Sequence, residues 1–193
     1  MTRPFKFAVA GTHSTGKSTF VASLKARLQA EGLVVADVHV SAEDALKEGF
    51  PILADHTFDS TSRLIAQAIL LETRASLSAG AIIIDRPVPD ALGYMHAALR
   101  HQGRKLETDR YERLENLCRA WVGEYDILFV TELDLRIPIG GGRPDDDQFR
   151  IDAAEAIAKT LSCMRPDAVP LPYGGSEDAI ERCVRYVRAR RSN

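Results

Sequence analysis

The segment that most constrains this chain is a glycine-rich loop between an apolar run and a helical segment. Residues 11–18 read GTHSTGKS and match the pattern G-x-x-x-x-G-K-[ST] without a gap, and Thr19 follows. Residues 5–10 before the loop are a short apolar run, and residues 17–30 after it have the apolar spacing of a helix. A loop in this context curls its backbone N–H groups around phosphate oxygens. The chain is therefore predicted to bind the phosphates of a nucleotide.

The fixed positions of this loop each have a chemical reason. Glycines at 11 and 16 let the backbone curl, Lys17 reaches the β- and γ-phosphates, and the Ser18 hydroxyl is placed to ligate Mg²⁺. His13 is either a catalytic group or a spacer in the loop. The residues predicted to bind the nucleotide are Gly11, Thr12, His13, Ser14, Thr15, Gly16, Lys17, Ser18 and Thr19.

The rest of the chain alternates strand-like and helix-like segments. Strands are predicted at residues 5–10, 33–40, 81–85, 126–130 and 168–171. Helices are predicted at residues 17–30, 44–49, 60–78, 90–100, 109–122, 151–161 and 177–190. Continuous apolar strands alternating with helices indicate an α/β fold whose parallel sheet is covered on both faces. Ligands of such sheets bind beyond the carboxyl ends of the strands.

Length and composition restrict the class of protein further. A chain of 193 residues fits one domain, predicted here to span residues 1–193. A net charge of -2 gives no argument for nucleic acid or a membrane as partner, and no apolar run approaches the length of a membrane span. The three cysteines are far apart and are interpreted as buried thiols in a reducing compartment. We therefore expect a cytoplasmic enzyme.

An acidic residue ends the clearest apolar run. Asp85 follows residues 81–84, so it is expected beside the phosphate loop, where it holds Mg²⁺ directly or through water. Arg86 then contacts the phosphoryl acceptor or a phosphate. The alternative is a helix-capping aspartate followed by a surface arginine.

Two acids follow the second predicted strand. Glu43 is the preferred general base for a hydroxyl that attacks the γ-phosphate, and Asp44 is the second choice. The alternative is that Ser41 caps a helix whose first turn contains both acids.

A segment rich in glycine, proline and aspartate spans about residues 136–150. Its glycines permit closure over a ligand, and Arg143 and Arg150 can bring positive charge to the transferring phosphoryl group. Such a segment is a mobile lid or, alternatively, a solvated acidic loop.

Other polar residues are candidates for acceptor binding. Arg63 and Gln67 are four residues apart on one predicted helix, so they either contact a base or sugar together or form a polar helix face. Asp90 and Tyr94 follow Asp85, and Tyr94 either lines the acceptor pocket or packs in the core.

These motifs together resemble the small P-loop kinase group. The likeness is strongest to the nicotinamide riboside kinase-like ATPase domains of bifunctional NAD-biosynthesis regulators, with deoxynucleoside and thymidylate kinases as broader relatives. The residues that carry it are GTHSTGKST, IIIDR with Asp90 and Tyr94, YDILFV and GGGRPDDDQFR. The resemblance covers roughly residues 5–162. It implies a three-layer αβα sandwich, a five-stranded parallel sheet in the order 2-3-1-4-5, a lid and MgATP as donor.

The resemblance also assigns roles to single residues. It places Lys17 and Ser18 at the phosphate and Mg²⁺ positions, and Asp85 at the acid that ends the third strand. The lid arginines correspond to Arg143 and Arg150, and the acid after the second strand corresponds to Glu43. Two departures concern the acceptor site: residues 44–46 lack an arginine often seen there, and Gly-Gly-Gly stands before Arg143 where Asp-Gly is commoner.

The function predicted from the sequence is transfer of the γ-phosphoryl group of MgATP to a small acceptor, a nucleoside or a nucleotide. No N-K-x-D motif follows a strand, which favours ATP over GTP. The alternatives are an ATP-hydrolysing switch that regulates a partner and a kinase of another small metabolite. A homodimer is left open.

Overall fold

The apolar runs form one five-stranded sheet in the computed structural model, which describes residues 3–137 and 146–192. Every pair of neighbouring strands is parallel, and the strand order is β2-β3-β1-β4-β5. The strands are β1 Phe5–Ala10, β2 Val35–His39, β3 Ala81–Asp85, β4 Ile127–Thr131 and β5 Val169–Leu171. The predicted fold class and strand order are confirmed.

Seven α-helices connect the strands within the described residues. They are α1 Lys17–Ala30, α2 Ala42–Lys47, α3 Phe58–Ala75, α4 Val88–His101, α5 Thr108–Val122, α6 Asp147–Met164 and α7 Ser176–Arg191. A short 3-10 helix, Leu53–Asp55, precedes α3 and was not predicted. None of these helices is long and apolar enough to cross a membrane.

The central strand shows why both faces of the sheet are covered. Phe7 and Val9 pack in a core with α1 and α7, whereas Ala8 and Ala10 pack in a second core with α4 and α6. Side chains alternate between the two faces of a strand, so a continuous apolar run supplies both cores. A third core joins α2, α3, α4 and α5 beside the second one.

Helix starts differ from the predictions where a polar side chain caps the first turn. Helix α6 begins at Asp147 instead of residue 151, because the Asp146 carboxylate accepts a hydrogen bond from Phe149 N at 2.8 Å. Helix α3 begins at Phe58 instead of residue 60, because Thr57 and Ser60 cap it reciprocally. Aspartate and threonine favour such caps, and periodicity alone does not locate them.

Two side chains differ from their expected environment. Glu72 on α3 is completely buried, although glutamates are mostly exposed in folded proteins. The cause is a set of polar partners: Trp121 Nε1 and the Tyr125 hydroxyl donate to its two carboxylate oxygens at 2.8 and 2.9 Å. Cys163 was expected to be buried and is exposed, whereas Cys118 and Cys183 are buried.

Candidate active site

The carboxyl ends of three central strands meet at one edge of the sheet. Val9 pairs with Asp85 on β3, and Ala10 pairs with Val130 on β4. The registers therefore bring the start of the glycine-rich loop beside Asp85 and beside Thr131, the last residue of β4.

The backbone of the loop requires glycine at its first position. Gly11 has a φ of 138°, and a Cβ atom there would lie 1.9 Å from Thr131 Oγ1. At the other end, Gly16 has a φ of 84° and forms the N-cap of α1. Between them Ser14 has a φ of 53°, which is uncommon for a residue with a side chain. Both fixed glycines of the motif thus have a steric or conformational reason.

Threonine side chains hold the shape of the loop from inside. Thr15 Oγ1 donates to the Thr12 carbonyl at 3.1 Å and is hydrogen-bonded to Thr131 Oγ1 at 2.8 Å. Thr12 Oγ1 lies 3.4 Å from His13 Nδ1, and both residues are buried. His13 therefore belongs to the packed interior of the loop.

The Lys17 ammonium group lies against the inner side of this loop. Its side chain is buried, and Nζ donates to the Thr12 carbonyl and, at 3.4 Å, to Thr15 Oγ1. Helix α1 begins here without a side-chain cap and without an acid in its first turn. The N–H groups of that turn can thus meet an anion. Ser18 and Thr19 are exposed in the same turn.

Asp85 has the environment expected of a cation ligand. Its Oδ2 atom accepts a hydrogen bond from His39 Nδ1 at 3.3 Å, whereas Oδ1 is buried with no hydrogen-bond partner among the described residues. Burial opposes ionisation, but the hydrogen bond from His39 and the charges of Lys17 and Arg86 outweigh it and lower the pKa. An ionised carboxylate oxygen of this kind fits Mg²⁺.

The same region has the donor set expected of a metal ion shared with a nucleotide. Residues 3–137 and 146–192 contain no cluster of three or more His, Cys, Asp or Glu residues that could hold a metal ion. Mg²⁺ is commonly held by one or two protein oxygens together with substrate phosphates. The Asp85 carboxylate and the exposed Ser18 hydroxyl fit that requirement.

Asp90 connects the loop to Arg86. Its Oδ1 atom accepts a hydrogen bond from Gly11 N at 2.9 Å, and Oδ2 accepts one from Arg86 Nη1 at 3.2 Å. Burial raises the pKa of Asp90, against the lowering effects of Arg86 and Lys17. Arg86 has a φ of 70°, an uncommon conformation of the kind that clusters at functional sites. Its guanidinium lies 5.3 Å from the centre of the Tyr94 ring.

Arg150 reaches the loop from the first turn of α6. It is 1% exposed. Its Nη2 atom donates to the Ser14 carbonyl at 3.0 Å, and Nη1 donates to the Ile137 carbonyl at 3.1 Å. One of the two predicted lid arginines is thus placed against the phosphate loop. Arg143 and the glycines before it lie outside the described residues.

A cleft opens beside the loop and encloses about 460 Å³ of space, part of which is open to solvent. Three of the residues proposed to bind the acceptor, Arg86, Asp90 and Tyr94, line this cleft, and their role stays a prediction. Its other lining residues are Val40, Ala42, Leu53, His56, Leu64, Ala68, Pro87, Val88 and Ala91. The walls are mainly apolar, and Asp90 joins the cleft to the phosphate loop.

Three predicted residues stand apart from this wall. Glu43 is exposed in the first turn of α2, next to Ala42, which lines the cleft. Ser41 caps that turn by accepting a hydrogen bond from Asp44 N at 3.1 Å. Arg63 binds Glu48 at 2.8 Å and also donates to Gln67, and neither Arg63 nor Gln67 lines the cleft.

Sequence reasoning missed three residues that the fold adds to the site: His39, His56 and Thr131. Thr131 ends a strand at the ligand-binding edge, a signal that was available. His39 was a strand residue whose neighbour on β3 was unknown. His56 stands alone in a connecting segment, without a motif around it.

The parallel sheet in the order 2-3-1-4-5, with a glycine-rich loop after β1, defines the fold of a P-loop NTPase. The chain belongs to the AAA domain family, whose model matches residues 6–179. No curated protein sequence matches the chain at a significant level.

Solved structures agree on the fold. A NadR protein in complex with NAD and AMP-PNP has a TM-score of 0.68 and 19% identity, over 95% of this chain and 49% of that one. A NadR protein in complex with NR gives 0.64 and 18%, over 87% and 45%. Deoxyadenosine kinase from M. mycoides with bound dATP gives 0.65 and 16%, over 95% and 99%. The chain spans about half the length of the NadR chains. The predicted resemblance is confirmed at the level of the fold.

Proposed function

We propose that this chain is a kinase that transfers the γ-phosphoryl group of MgATP to a nucleoside or nucleotide. The observation that carries the proposal is that Asp90 joins a formed phosphate loop to a mainly apolar cleft. A phosphoryl donor in the loop and a small organic acceptor in the cleft would then be neighbours. The nucleotides bound to the NadR protein and the deoxyadenosine kinase support this assignment.

Each charged side chain has a role in this proposal. Lys17 and the N–H groups of the loop orient the β- and γ-phosphates, and Arg150 faces the developing charge from the Ser14 side of the loop. Ser18 and Asp85 would hold Mg²⁺, which withdraws charge from the phosphate oxygens when bound. Arg143 is proposed as a second arginine that closes with the lid.

In this reaction the protein takes little part in the making and breaking of bonds. An acceptor oxygen forms a bond to the γ-phosphorus while the bond from that phosphorus to the β,γ-bridging oxygen breaks, releasing ADP. If the acceptor is a hydroxyl, its proton passes to a carboxylate, for which we propose Glu43. Asp44 is the weaker candidate because Lys47 Nζ donates to its carboxylate at 3.4 Å. If the acceptor is a phosphate oxygen, no base is needed.

The identity of the base is testable with a matched pair of variants. Glu43→Gln removes the basic oxygen and keeps the size of the side chain, so turnover with a hydroxyl acceptor should fall about 100-fold or more. Asp44→Asn, one residue further along the same exposed turn, should leave turnover nearly unchanged. Initial rates of ADP formation at saturating MgATP measure both. Equal turnover of Glu43→Gln and the unsubstituted chain would remove Glu43 from the mechanism.

The proposed reaction is tested by a screen of phosphoryl transfer from labelled ATP. Nucleosides, nucleoside monophosphates and pyridine ribosides are the acceptors to compare. At least one should yield a labelled product in the presence of Mg²⁺ and none in the presence of chelator. If all are inert while MgATP still binds, the kinase assignment is wrong. The hypothesis to test next is then ATP hydrolysis stimulated by a protein partner.

A further inference from the structure

The apolar cleft contains one imidazole that the proposed reaction does not use. His56 lines the cleft and is 2% exposed. Its Nε2 atom is buried and has no hydrogen-bond partner among residues 3–137 and 146–192. A buried polar atom without a partner is costly, so such an atom in a ligand cleft points to a group that the ligand supplies.

The hydrogen bonds of the ring fix which kind of group that is. His56 Nδ1 lies 2.9 Å from the Leu53 carbonyl, which can only accept, so Nδ1 carries the proton. Burial lowers the pKa of His56 to about 4, so the ring is neutral at pH 7. In a neutral imidazole the second nitrogen is an acceptor. Nε2 therefore requires a donor, either an O–H or an N–H group.

The ring is also held in a fixed position. Arg104 Nη2 donates to the carbonyl of His56 at 2.9 Å and to that of Ala54 at 3.3 Å, which ties this segment to the end of α4. On its face, the imidazole stacks against Tyr94 with ring centres 5.7 Å apart and an interplanar angle of 22°. A pre-positioned acceptor of this kind loses little conformational entropy on binding.

The charges that line the cleft indicate whether a ligand that donates to His56 Nε2 is charged or neutral. Arg86, the cationic residue among the described lining residues, is already paired with Asp90 and lies over the Tyr94 ring. An anionic group entering the cleft would compete with Asp90 for this arginine. Apolar side chains line most of the remaining wall, which suits a ligand whose ring is uncharged.

We propose that His56 Nε2 determines acceptor specificity by accepting a hydrogen bond from an uncharged ring that presents an N–H or O–H group. The ring would lie in the apolar part of the cleft near Tyr94, and its phosphoryl-accepting end would lie toward Asp90 and the phosphate loop. This proposal rests on the kinase function proposed above and adds which chemical feature of the acceptor the cleft recognises.

Two substitutions test the roles of the two His56 ring nitrogens separately. The amide of His56→Asn reaches the Nδ1 position and keeps a donor for the Leu53 carbonyl, but leaves the Nε2 position empty. The amide of His56→Gln reaches the Nε2 position. His96→Asn, the same change at a half-buried histidine of α4 that does not line the cleft, is the control. Thermal unfolding of each variant shows that it is folded.

The experiment measures KM for an acceptor that the unsubstituted chain phosphorylates, and for its analogue with the N–H or O–H group methylated. We expect His56→Asn to raise KM of the parent acceptor about tenfold, which is the effect of one lost hydrogen bond. KM for ATP should not change, His56→Gln should recover part of the loss, and His96→Asn should have no effect. With the methylated analogue, His56→Asn and the unsubstituted chain should give the same KM.

The outcomes distinguish this inference from the function on which it rests. An unchanged KM for the parent acceptor in a folded His56→Asn variant would refute the role of His56 and leave the kinase function intact. An analogue that binds the unsubstituted chain as well as its parent would refute it too. Absence of transfer to every acceptor would refute the kinase function, and the role of His56 would fall with it.

Discussion

At the scale of single residues, burial gives His56 a measurable effect on stability. Its pKa is about 4 in the folded protein, mainly because burial disfavours the charged ring, and 6.5 is the ordinary value. Above pH 6.5 the ring is neutral in both states and contributes no pH dependence. Between pH 6.5 and about 4 only the unfolded chain takes up the proton, so stability falls as the pH falls, by about 3 kcal/mol in all.

That contribution can be isolated by difference. Denaturant unfolding at several pH values between 4 and 7 should show a steeper loss of stability for the unsubstituted chain than for His56→Asn. Below pH 4 the difference should level off. Parallel curves for the two proteins across this window would contradict a buried, neutral His56.

The residues of the site differ in how far the sequence predicts them. Lys17 and Ser18 occupy fixed positions of a loop whose chemistry depends on its own backbone, so the local sequence suffices to identify them. His56 acquires its meaning only when α4 places Tyr94 against its ring. No local pattern encodes that contact. Glu43 is an intermediate case: its place after β2 was predicted, and its role stays a prediction.

At the scale of elements, the packing of α4 against α6 depends on one glycine. A Cβ atom at Gly93 would lie 2.8 Å from the Cα atom and 2.6 Å from the Cγ1 atom of Ile157. Gly93→Ala should therefore push the two helices apart and cost about 1–3 kcal/mol. Gly123→Ala, where a Cβ atom would meet nothing within 4 Å, is the matched control.

Thermal and denaturant unfolding of the two variants measure the difference. Because α4 also carries Asp90 and Tyr94, the KM of Gly93→Ala for the acceptor should rise as well. Equal stability of Gly93→Ala and Gly123→Ala would show that the helices do not approach as closely as described.

A second prediction at this scale concerns the buried carboxylate that joins α3 to α5 and β1. Glu72 accepts hydrogen bonds from Trp121 and Tyr125, and Lys6 Nζ lies 3.7 Å from it. Burial raises the pKa of Glu72, and these partners oppose the rise. Glu72→Ala would leave the Trp121 and Tyr125 donors without their acceptor and Lys6 with Glu124 as its remaining carboxylate partner, so we expect a loss of about 3–5 kcal/mol.

The comparison for this prediction is Glu155→Ala on α6, whose side chain is 63% exposed and pairs with Arg100. An exposed ion pair is worth at most about 1 kcal/mol. Urea unfolding of both variants should therefore separate them clearly. Similar losses for the two would mean that the Glu72 cluster contributes no more than a surface pair.

At the scale of the whole molecule, periodicity was enough for the parallel sheet and insufficient for its strand order. Apolar runs such as residues 81–84 indicated strands buried on both faces, which only helices on both sides can provide. The order 2-3-1-4-5 followed from the resemblance to P-loop kinases, because pairing between β1 and β3 is a long-range property. The single domain over residues 1–193 and the homodimer stay predictions.

Every role proposed for the site requires that MgATP bind to the phosphate loop, and calorimetric titration measures this binding. The unsubstituted chain should bind MgATP, and Lys17→Ala should bind it at least about tenfold more weakly, because a charge-assisted contact to the phosphates is lost. Lys25→Ala, on the surface of the same helix, should bind like the unsubstituted chain. If neither MgATP nor any other nucleoside triphosphate binds, or if Lys17→Ala binds as tightly, the loop around Lys17 is not a nucleotide-binding site.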